Sequence, residues 1–304
     1  MSETPEHCGL VAVLGAPNAG KSTLVNALVG QKVAITSSKA QTTRARLMGV
    51  ALHENNTSRA QLILADTPGI FEPRRRLDRA MVAAAWEGAQ EADAIMLVVD
   101  PVKQRRHELD PLIESLKGRP ENKLLVLNKV DVSKKEPLLE LAQELAQAAD
   151  FSEIFFVSAS TGDGVAELKD HLAGLMPKGP WLYPADQVSD ASERLLACEI
   201  TREQLYAQLH NELPYDSAVR AESYKQHKDG SVEVRQQIVV ARDTQKAIVL
   251  GKGGSRIKAI GEAARMELSE ILGQKVHLFL HVKVEENWAE TRDIYQDMGL
   301  EWVK

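Results

Sequence analysis

The loop at residues 15–22 constrains the fold more than any other part of this 304-residue chain. It reads GAPNAGKS and lies between the apolar run LVAVL and a helical stretch that begins at Lys21. The loop fits the pattern G-x-x-x-x-G-K-[ST], in which backbone N–H groups converge on phosphate oxygens. We expect the Lys21 ammonium to reach the β- and γ-phosphates of a nucleotide and the Ser22 hydroxyl to bind Mg²⁺. The predicted nucleotide contacts of this segment are Gly15, Asn18, Ala19, Gly20, Lys21, Ser22 and Thr23.

Strand and helix patterns alternate through the first part of the chain. Continuous apolar runs, typical of strands that are buried on both faces, are separated by helical stretches. This alternation predicts an α/β fold with a mostly parallel sheet flanked by helices. The predicted strands are 10–14, 46–52, 61–66, 94–100, 123–128 and 153–158, and the predicted helices are 21–30, 77–90, 107–117, 137–149 and 165–175.

Two further segments could hold a metal ion and the γ-phosphate. The sequence DTPG begins at Asp66 and follows a strand, so Asp66 can bind Mg²⁺, directly or through water. The N–H of Gly69 can approach the γ-phosphate. The polar segment 34–46 can fold over a γ-phosphate, and either Thr42 or Thr43 could supply a second Mg²⁺ ligand. The alternative is a solvated loop whose threonines have no such role.

The tetrad NKVD begins at Asn128, follows a strand and can distinguish one base from another. The Asp131 carboxylate can accept from guanine N1–H and from the 2-amino group, whereas adenine would leave it unpaired. The stem of Lys129 can cover the face of the base. The next strand ends in SAS, where backbone N–H groups at Ser158 and Ala159 could meet the guanine oxygen.

The pattern changes after a proline-rich linker at 177–187. We therefore predict one domain over 1–180 and a second over 181–304. The second has the element order α-β-β-α-α-β, followed by a final helix. Its predicted helices are 192–213, 244–250, 255–272 and 287–300, and its predicted strands are 217–226, 231–241 and 276–284.

A second glycine-rich turn, GKGG at 251–254, joins two helices of this second domain. It lacks the longer phosphate-loop span, so a second nucleotide site is not expected. Helix, G-x-x-G and helix is the arrangement of a KH domain, whose turn clamps the backbone of a single-stranded nucleic acid. The α-β-β-α-α-β order is that of the type II KH fold. The predicted RNA contacts are Lys246, Gly251, Lys252, Gly253, Gly254, Arg256 and Lys258.

Together these motifs resemble GTPases of the Era family, in which an α/β P-loop GTPase domain precedes an α+β type II KH domain. The resemblance spans almost the whole chain. It implies GTP hydrolysis with Mg²⁺, with Ser22, Thr43 and Asp66 as metal ligands and Thr43 preferred over Thr42. It also implies binding of single-stranded RNA near the 3′ end of 16S rRNA and a role in 30S subunit assembly. The catalytic residues implied by the resemblance are Lys21, Thr43, Gly69 and Asn18.

One position departs from the pattern of many small GTPases. Ile70, followed by Phe71, stands where they carry a glutamine that orients the attacking water. Either another group positions the water, or hydrolysis is slow until a partner helps. Some relatives with an asparagine at the position of Asn18 use a bound K⁺ ion, and the resemblance extends that hypothesis to this chain.

Composition narrows the remaining choices. No apolar run reaches ~18 residues, the length that spans a bilayer, and the polar N-terminus is not typical of a secretory signal. We expect a cytoplasmic monomer, and the resemblance adds loose peripheral association with the inner membrane. The net charge of −6 means that RNA contacts have to come from a local basic patch. Two other functions stay open: an ATPase or nucleotide kinase, and an RNA-binding protein with a structural nucleotide.

Overall fold

The computed structural model describes residues 5–37, 39, 42–44, 46–55, 58–104, 106–209 and 213–303. The chain forms two compact units. The first unit comprises Met1–Ala34, Thr43–Pro73 and Met81–Asp190, and the second comprises Ile35–Thr42, Arg74–Ala80 and Ala191–Lys304. Two short segments from the first part of the sequence therefore belong to the second unit, and one of them includes the start of the helix Arg76–Gln90. No helix in the described ranges is long and apolar enough to cross a membrane.

The first unit contains a six-stranded sheet with helices packed on both faces. Its elements are β1 (Glu6–Leu14), α1 (Lys21–Val29), β2 (Leu47–Glu54), β3 (Arg59–Asp66), α2 (Arg76–Gln90), β4 (Ala94–Val99), α3 (Arg106–Leu116), β5 (Asn122–Leu127), α4 (Lys135–Ala146), β6 (Glu153–Phe156) and α5 (Val165–Leu175). The strand order is β2-β3-β1-β4-β5-β6, and only the β2–β3 pairing is antiparallel among the paired strands of this sheet in the described chain. The predicted, mostly parallel sheet is confirmed.

Successive residues of the central strands face opposite sides of the sheet. In β1, Val11 and Val13 pack in one buried cluster with residues of α1 and α5. Ala12 and Leu14 pack in a second cluster with residues of α3 and α4. A strand covered on both faces has to be apolar at every position, which explains the uninterrupted run LVAVL. β1 begins earlier than the sequence predicts because it pairs with β3 from its first residue.

The predicted linker at 177–187 is bonded to the first unit. The fully buried Gln61 side chain accepts a hydrogen bond from the Tyr183 N–H (3.0 Å) and donates one to the Tyr183 carbonyl (2.8 Å). Farther along, the N–H of Val50 in β2 donates to the carbonyl of Val188 (2.8 Å). This segment therefore lies along β2, the outermost strand at that side of the sheet.

The second unit contains a three-stranded sheet covered by helices. Its elements are α6 (Glu193–Gln208), β7 (Ser217–Gln226), β8 (Val232–Val240), α7 (Asp243–Leu250), α8 (Ser255–Leu272), β9 (Val276–Val284) and α9 (Arg292–Asp297). The strand order is β7-β8-β9, with β7 antiparallel and β9 parallel to β8. Buried residues such as Ile200 of α6, Leu268 of α8 and Val234 of β8 form its core. The predicted α-β-β-α-α-β order is confirmed.

The C-terminal segment does not form the single helix that the sequence predicts over 287–300. A 3₁₀ turn at Trp288–Glu290 is followed by α9, and Thr291 between them has extended backbone angles (φ −105°, ψ 129°). The Thr291 hydroxyl donates to the carbonyl of Trp288 (2.7 Å), a local bond that competes with helix formation. The predicted helix 192–213 ends at Gln208, and residues 210–212 lie outside the described ranges.

Candidate functional site

Five loops meet at one edge of the six-stranded sheet. β1, β3, β4, β5 and β6 run parallel, so their carboxyl ends lie on the same side. The loop at 15–20 follows β1, the DTPG segment follows β3, and the NKVD and SAS segments follow β5 and β6. Ligands of open α/β sheets bind at this edge. The structure thus brings all the predicted nucleotide motifs of the first unit to one place.

Lys21 is the buried cation of this edge. Its side chain is 6% exposed, and Nζ donates to the carbonyls of Gly15 and Ala16 (3.1 Å each). Burial lowers the pKa of Lys21 to about 8, and the nearby Asp66 carboxylate opposes this effect. A buried ammonium with few counter-charges favours an anionic ligand beside it, which matches the phosphates of a nucleotide.

Three side-chain oxygens converge next to Lys21. The Ser22 hydroxyl donates to Asp66 Oδ2 (2.6 Å) and lies 2.8 Å from the Thr43 hydroxyl, which is 3.3 Å from the same carboxylate oxygen. Two hydroxyls and a carboxylate are hard oxygen donors of the kind Mg²⁺ prefers, so the set fits this ion. Thr42 is not part of the set, since its hydroxyl donates to the carbonyl of Lys39 (2.8 Å).

The DTPG segment closes on the phosphate loop through its backbone. The Ile70 N–H donates to the carbonyl of Gly15 (3.0 Å), and Gly69 is buried so closely against Pro17 that an added Cβ would lie 2.7 Å from its nitrogen. The Ile70 side chain packs against one of the buried clusters of the sheet. It has no polar atom to orient a water molecule, so Ile70 cannot take the role that glutamine has in many small GTPases.

Asn128 joins three of the loops. Its side chain is buried, and Nδ2 donates to the carbonyl of Ala19 (3.0 Å). Oδ1 accepts from the N–H groups of Lys129 (2.8 Å) and Ala159 (3.0 Å). Gly20 has a left-handed backbone (φ 94°), and a Cβ at that position would overlap Asn128 Nδ2. The asparagine therefore orders the loops around the predicted base site and fixes their spacing.

The other residues that are predicted to recognise the base lie beside Asn128. The Ser158 hydroxyl donates to Asp131 Oδ1 (2.7 Å), which orients the exposed carboxylate. Lys129 has a left-handed backbone (φ 64°), and its Nζ donates to the carbonyl of Asn18 (2.7 Å) and to Asp100 Oδ2 (2.6 Å). Sequence reasoning missed Asp100. The available signal was an acidic residue at the end of the predicted strand 94–100.

The segment just before Thr43 makes polar contacts inside the second unit. The Thr36 N–H donates to Glu203 of α6 (2.8 Å), and Lys39 Nζ donates to the carbonyls of Tyr206 and Leu209 at the carboxyl end of that helix. Burial lowers the pKa of Lys39. Ile35 is buried in a cluster with residues of α6, β8, α8 and β9. Sequence reasoning assigned the segment 34–46 only to a γ-phosphate and missed these contacts, because contacts between distant segments leave no local pattern.

The GKGG turn joins α7 to α8 and is accessible. Gly251, Gly253 and Gly254 all have positive φ angles (70°, 59° and 78°), which side-chain-bearing residues adopt only with strain. A Cβ on Gly251 would lie 2.8 Å from Arg256 Cβ, whereas nothing lies within 4 Å of a Cβ on Gly253 or Gly254. The last two positions thus leave room for a polynucleotide backbone. Of the predicted contacts, Lys252 and Lys258 are exposed, while Lys246 and Arg256 are partly buried.

An open groove of about 560 Å³ lies between α8 and β9, and its lining begins at Ile257, three residues after the turn. Lys258, Glu262 and Arg265 of α8 and Phe279 of β9 are among the residues that line it. Phe279 is 47% exposed, and the Arg235 guanidinium stacks over its ring (4.6 Å to the centroid). Exposed aromatic rings and guanidinium planes are the surfaces on which unpaired RNA bases stack.

Two family models match the chain. The model described as 50S ribosome-binding GTPase matches residues 10–129, and the KH domain model matches residues 212–289. GTPase Era of Erythrobacter litoralis (strain HTCC2594) is 74% identical over 304 residues and covers the full length of both chains. The chain belongs to the Era family of GTPases. GTPase Era of Maricaulis maris (strain MCS10) is 53% identical over 316 residues, with 99% of each chain covered.

Solved structures of Era have the same fold. A variant of Aquifex aeolicus Era bound to GDP.AlF4⁻ is 36% identical, with a TM-score of 0.89 and coverage of 96% of this chain and 99% of that one. Era in complex with MgGDPNP and nucleotides 1506–1542 of 16S ribosomal RNA is 36% identical, with a TM-score of 0.90 and coverage of 97% and 99%. The predicted family, fold class and GTPase activity are confirmed. Membership of the Era family decides against the two alternative functions.

Proposed function

We propose that this Era-family chain is a GTP-hydrolysing switch that binds single-stranded RNA near the 3′ end of 16S rRNA and assists assembly of the 30S ribosomal subunit. The main observation in support is that this chain contains two glycine-rich loops, at 15–22 and at 251–254, with different surroundings. The loop at 15–22 holds a buried lysine beside a set of hard oxygens, whereas the turn at 251–254 leaves open space at Gly253 and Gly254. One suits a mononucleotide and the other a polynucleotide backbone.

The proposed nucleotide site uses the residues that meet at the sheet edge. Lys21 contacts the β- and γ-phosphates, Asp131 recognises the guanine edge, and the stem of Lys129 covers the face of the base. Ser22, Thr43 and Asp66 would hold Mg²⁺, which neutralises charge on the phosphate oxygens when it is bound. The contacts also proposed are Gly15, Asn18, Ala19, Gly20, Thr23, Gly69, Asn128, Ser158 and Ala159.

The proposed switch depends on the short distance in sequence between Lys39 and Thr43. Thr43 lies at the oxygen set beside Lys21, while Lys39 and Thr36 are bonded to α6 within the second unit. Because only four peptide units separate Lys39 from Thr43, a displacement of Thr43 during the nucleotide cycle would be passed along the chain to the segment that is bonded to α6. Nucleotide state thereby biases the unit that carries the GKGG turn.

The RNA-binding proposal rests on the GKGG turn, on the basic residues around it and on the solved Era complex with 16S rRNA nucleotides. A single-stranded RNA matching nucleotides 1506–1542 is the test ligand, with a scrambled RNA as control. Gly253→Asp and Gly253→Asn give a matched pair, because the position is open and both residues tolerate left-handed angles. A carboxylate about 5 Å from a phosphate costs about 1–3 kcal/mol, depending on local screening.

We expect Gly253→Asp to weaken binding of the matching RNA about fivefold to 150-fold relative to Gly253→Asn. Filter binding with GDP and with a non-hydrolysable GTP analogue would show whether nucleotide state changes this affinity. Equal affinity for the two variants and for scrambled RNA would remove the GKGG turn from the RNA site. Equal affinity with GDP and the GTP analogue would remove the switch and leave RNA binding intact.

We also propose four finer points. The functional domains are 1–180 and 181–304, the chain is a cytoplasmic monomer, and it associates peripherally with the inner membrane. Asn18 supports a K⁺ ion that assists hydrolysis. Its left-handed backbone (φ 64°) sits in the phosphate loop, where a carbonyl or amide oxygen can approach the phosphates. Hydrolysis rates that are equal in K⁺ and in Na⁺ would refute the K⁺ proposal.

A further inference from the structure

We propose that Asp100 is a positioning residue of the nucleotide site, which acts by fixing the side chain of Lys129 over the guanine base. Asp100 follows β4 and lies outside the four sequence motifs. This proposal rests on the proposed role of Lys129 in covering the base, and the experiment distinguishes a failure of the Asp100 role from a failure of the Lys129 role. The site would bind a purine nucleotide. Asp100 bonds to the ammonium group of Lys129 and not to the nucleotide itself.

The two carboxylate oxygens of Asp100 do different things. Oδ1 accepts from the N–H groups of Val102 (2.9 Å) and Lys103 (3.2 Å), which shapes the turn after β4. Oδ2 accepts from Lys129 Nζ at 2.6 Å. The residue is only 1% exposed, and its own N–H donates to the Gln104 side chain (2.8 Å). A carboxylate held by several hydrogen bonds at a buried position is a rigid anchor.

Lys129 is held at both ends. Its backbone is fixed by the bond from its N–H to Asn128 Oδ1, and its ammonium is shared between Asp100 and the carbonyl of Asn18. The four-carbon stem is therefore fixed between these two anchor points. A free lysine side chain loses about 2 kcal/mol of rotamer freedom when it is ordered. Pre-ordering by Asp100 removes that loss from the binding step, so the base meets a ready surface.

The substitution Asp100→Asn separates this role from that of a turn former. The asparagine keeps an oxygen that can accept from the two backbone N–H groups, but its NH₂ faces the lysine ammonium as a donor against a donor. Asp93→Asn is the matched control, because it also removes one carboxylate charge. Asp93 is exposed at the opposite end of the same strand, where it accepts from the Leu10 N–H (2.8 Å).

The experiment measures the dissociation rate of fluorescent GDP and the affinities for GDP and IDP in Asp100→Asn, Lys129→Met and the double variant. The dissociation rate reports only on folded, loaded molecules, so partial unfolding of a variant leaves it interpretable. We expect Asp100→Asn to weaken the binding of GDP and of IDP about tenfold and by the same factor. The reason is that the lysine stem covers a ring face that the two nucleotides share. An Asp131→Ala variant, by contrast, should change the ratio between them.

The double variant gives the decisive comparison. If Asp100 acts through Lys129, adding Asp100→Asn to Lys129→Met should change the dissociation rate less than twofold. Additive losses would overturn the proposal, and so would a wild-type rate in Asp100→Asn or an equal loss in Asp93→Asn. If Lys129→Met itself keeps wild-type affinity, the proposed role of Lys129 fails as well. A weakened Lys129→Met beside an unaffected Asp100→Asn would refute Asp100 alone.

Discussion

An alanine at Gly20 tests whether this glycine is required for space or only for its backbone angles. Gly20 and Gly30 flank α1 and have nearly the same left-handed conformation (φ 94° and 89°). A left-handed alanine costs about 1–2 kcal/mol at either position. At Gly30 nothing lies within 4 Å of an added Cβ, whereas at Gly20 the Cβ would overlap Asn128 Nδ2. Gly30→Ala therefore measures the angle alone, and Gly20→Ala measures the angle and the contact.

The extra cost at Gly20 follows from the bonds of Asn128. To admit the Cβ, the asparagine has to move and give up its 3.0 Å hydrogen bond to the Ala19 carbonyl, and a lost buried bond costs about 1–3 kcal/mol. Gly20→Ala should thus destabilise β1 and β5 by about that much more than Gly30→Ala. It should also release GDP at least about tenfold faster, because the same asparagine orients the Lys129 and Ala159 backbones.

Hydrogen exchange of the β1 and β5 amides is the suitable stability assay, since it reports on this sheet separately from the rest of the chain. Stopped-flow release of fluorescent GDP supplies the functional readout. If the two alanine variants exchange and release GDP at the same rates, then the contact with Asn128 is not what selects glycine at position 20. A loss confined to Gly30→Ala would contradict the assignment of both glycines.

Three further predictions follow from single contacts. Lys252→Ala should lower the slope of log affinity for RNA against log salt by about one, as expected for one phosphate contact, while Lys228→Ala in the β7–β8 turn should leave the slope unchanged. Thr43→Ala should weaken Mg²⁺ binding to the form loaded with a GTP analogue about tenfold, and Thr42→Ala should not; equal losses in a Mg²⁺ titration would count against the oxygen set. Burial raises the pKa of Cys198 to about 12, so its thiolate is scarce at pH 8 and becomes available only as the pH rises further. A thiol reagent at pH 8 should therefore label Cys198 in urea but not in the native protein. Rapid labelling of the native protein would contradict this and show that α6 opens easily.

The nucleotide site was accessible to sequence reasoning because each of its motifs follows a strand. Parallel strands carry their end residues to a common edge, so Lys21, Asp66 and Asn128 could be placed together without any coordinates. Asp100 follows a strand at the same edge, but a single aspartate is a frequent turn residue. What distinguishes it is the ion pair with Lys129, which exists only after β4 and β5 have paired.

The contacts of the second unit were harder to anticipate. Thr36 and Glu203 are 167 residues apart, and no periodicity in either segment points to the other. The break at Thr291 likewise depends on one side chain bonding its own local backbone in place of a helical partner. Sequence patterns register the average character of a stretch, whereas these features depend on individual hydrogen bonds.

The path of residues 177–190 determines where a truncated GTPase fragment of this chain can end. Because Val188 accepts from Val50, and Ser189 bridges to Gly49, the segment covers backbone groups of β2 that would otherwise face solvent. An uncovered edge strand is a template for pairing with other copies. A fragment that stops at 180 would lose this cover. It would also lose the Tyr183 backbone groups that form hydrogen bonds with the buried Gln61 side chain. A GTPase-only fragment that runs to 190 keeps both, and its solubility depends on those last ten residues.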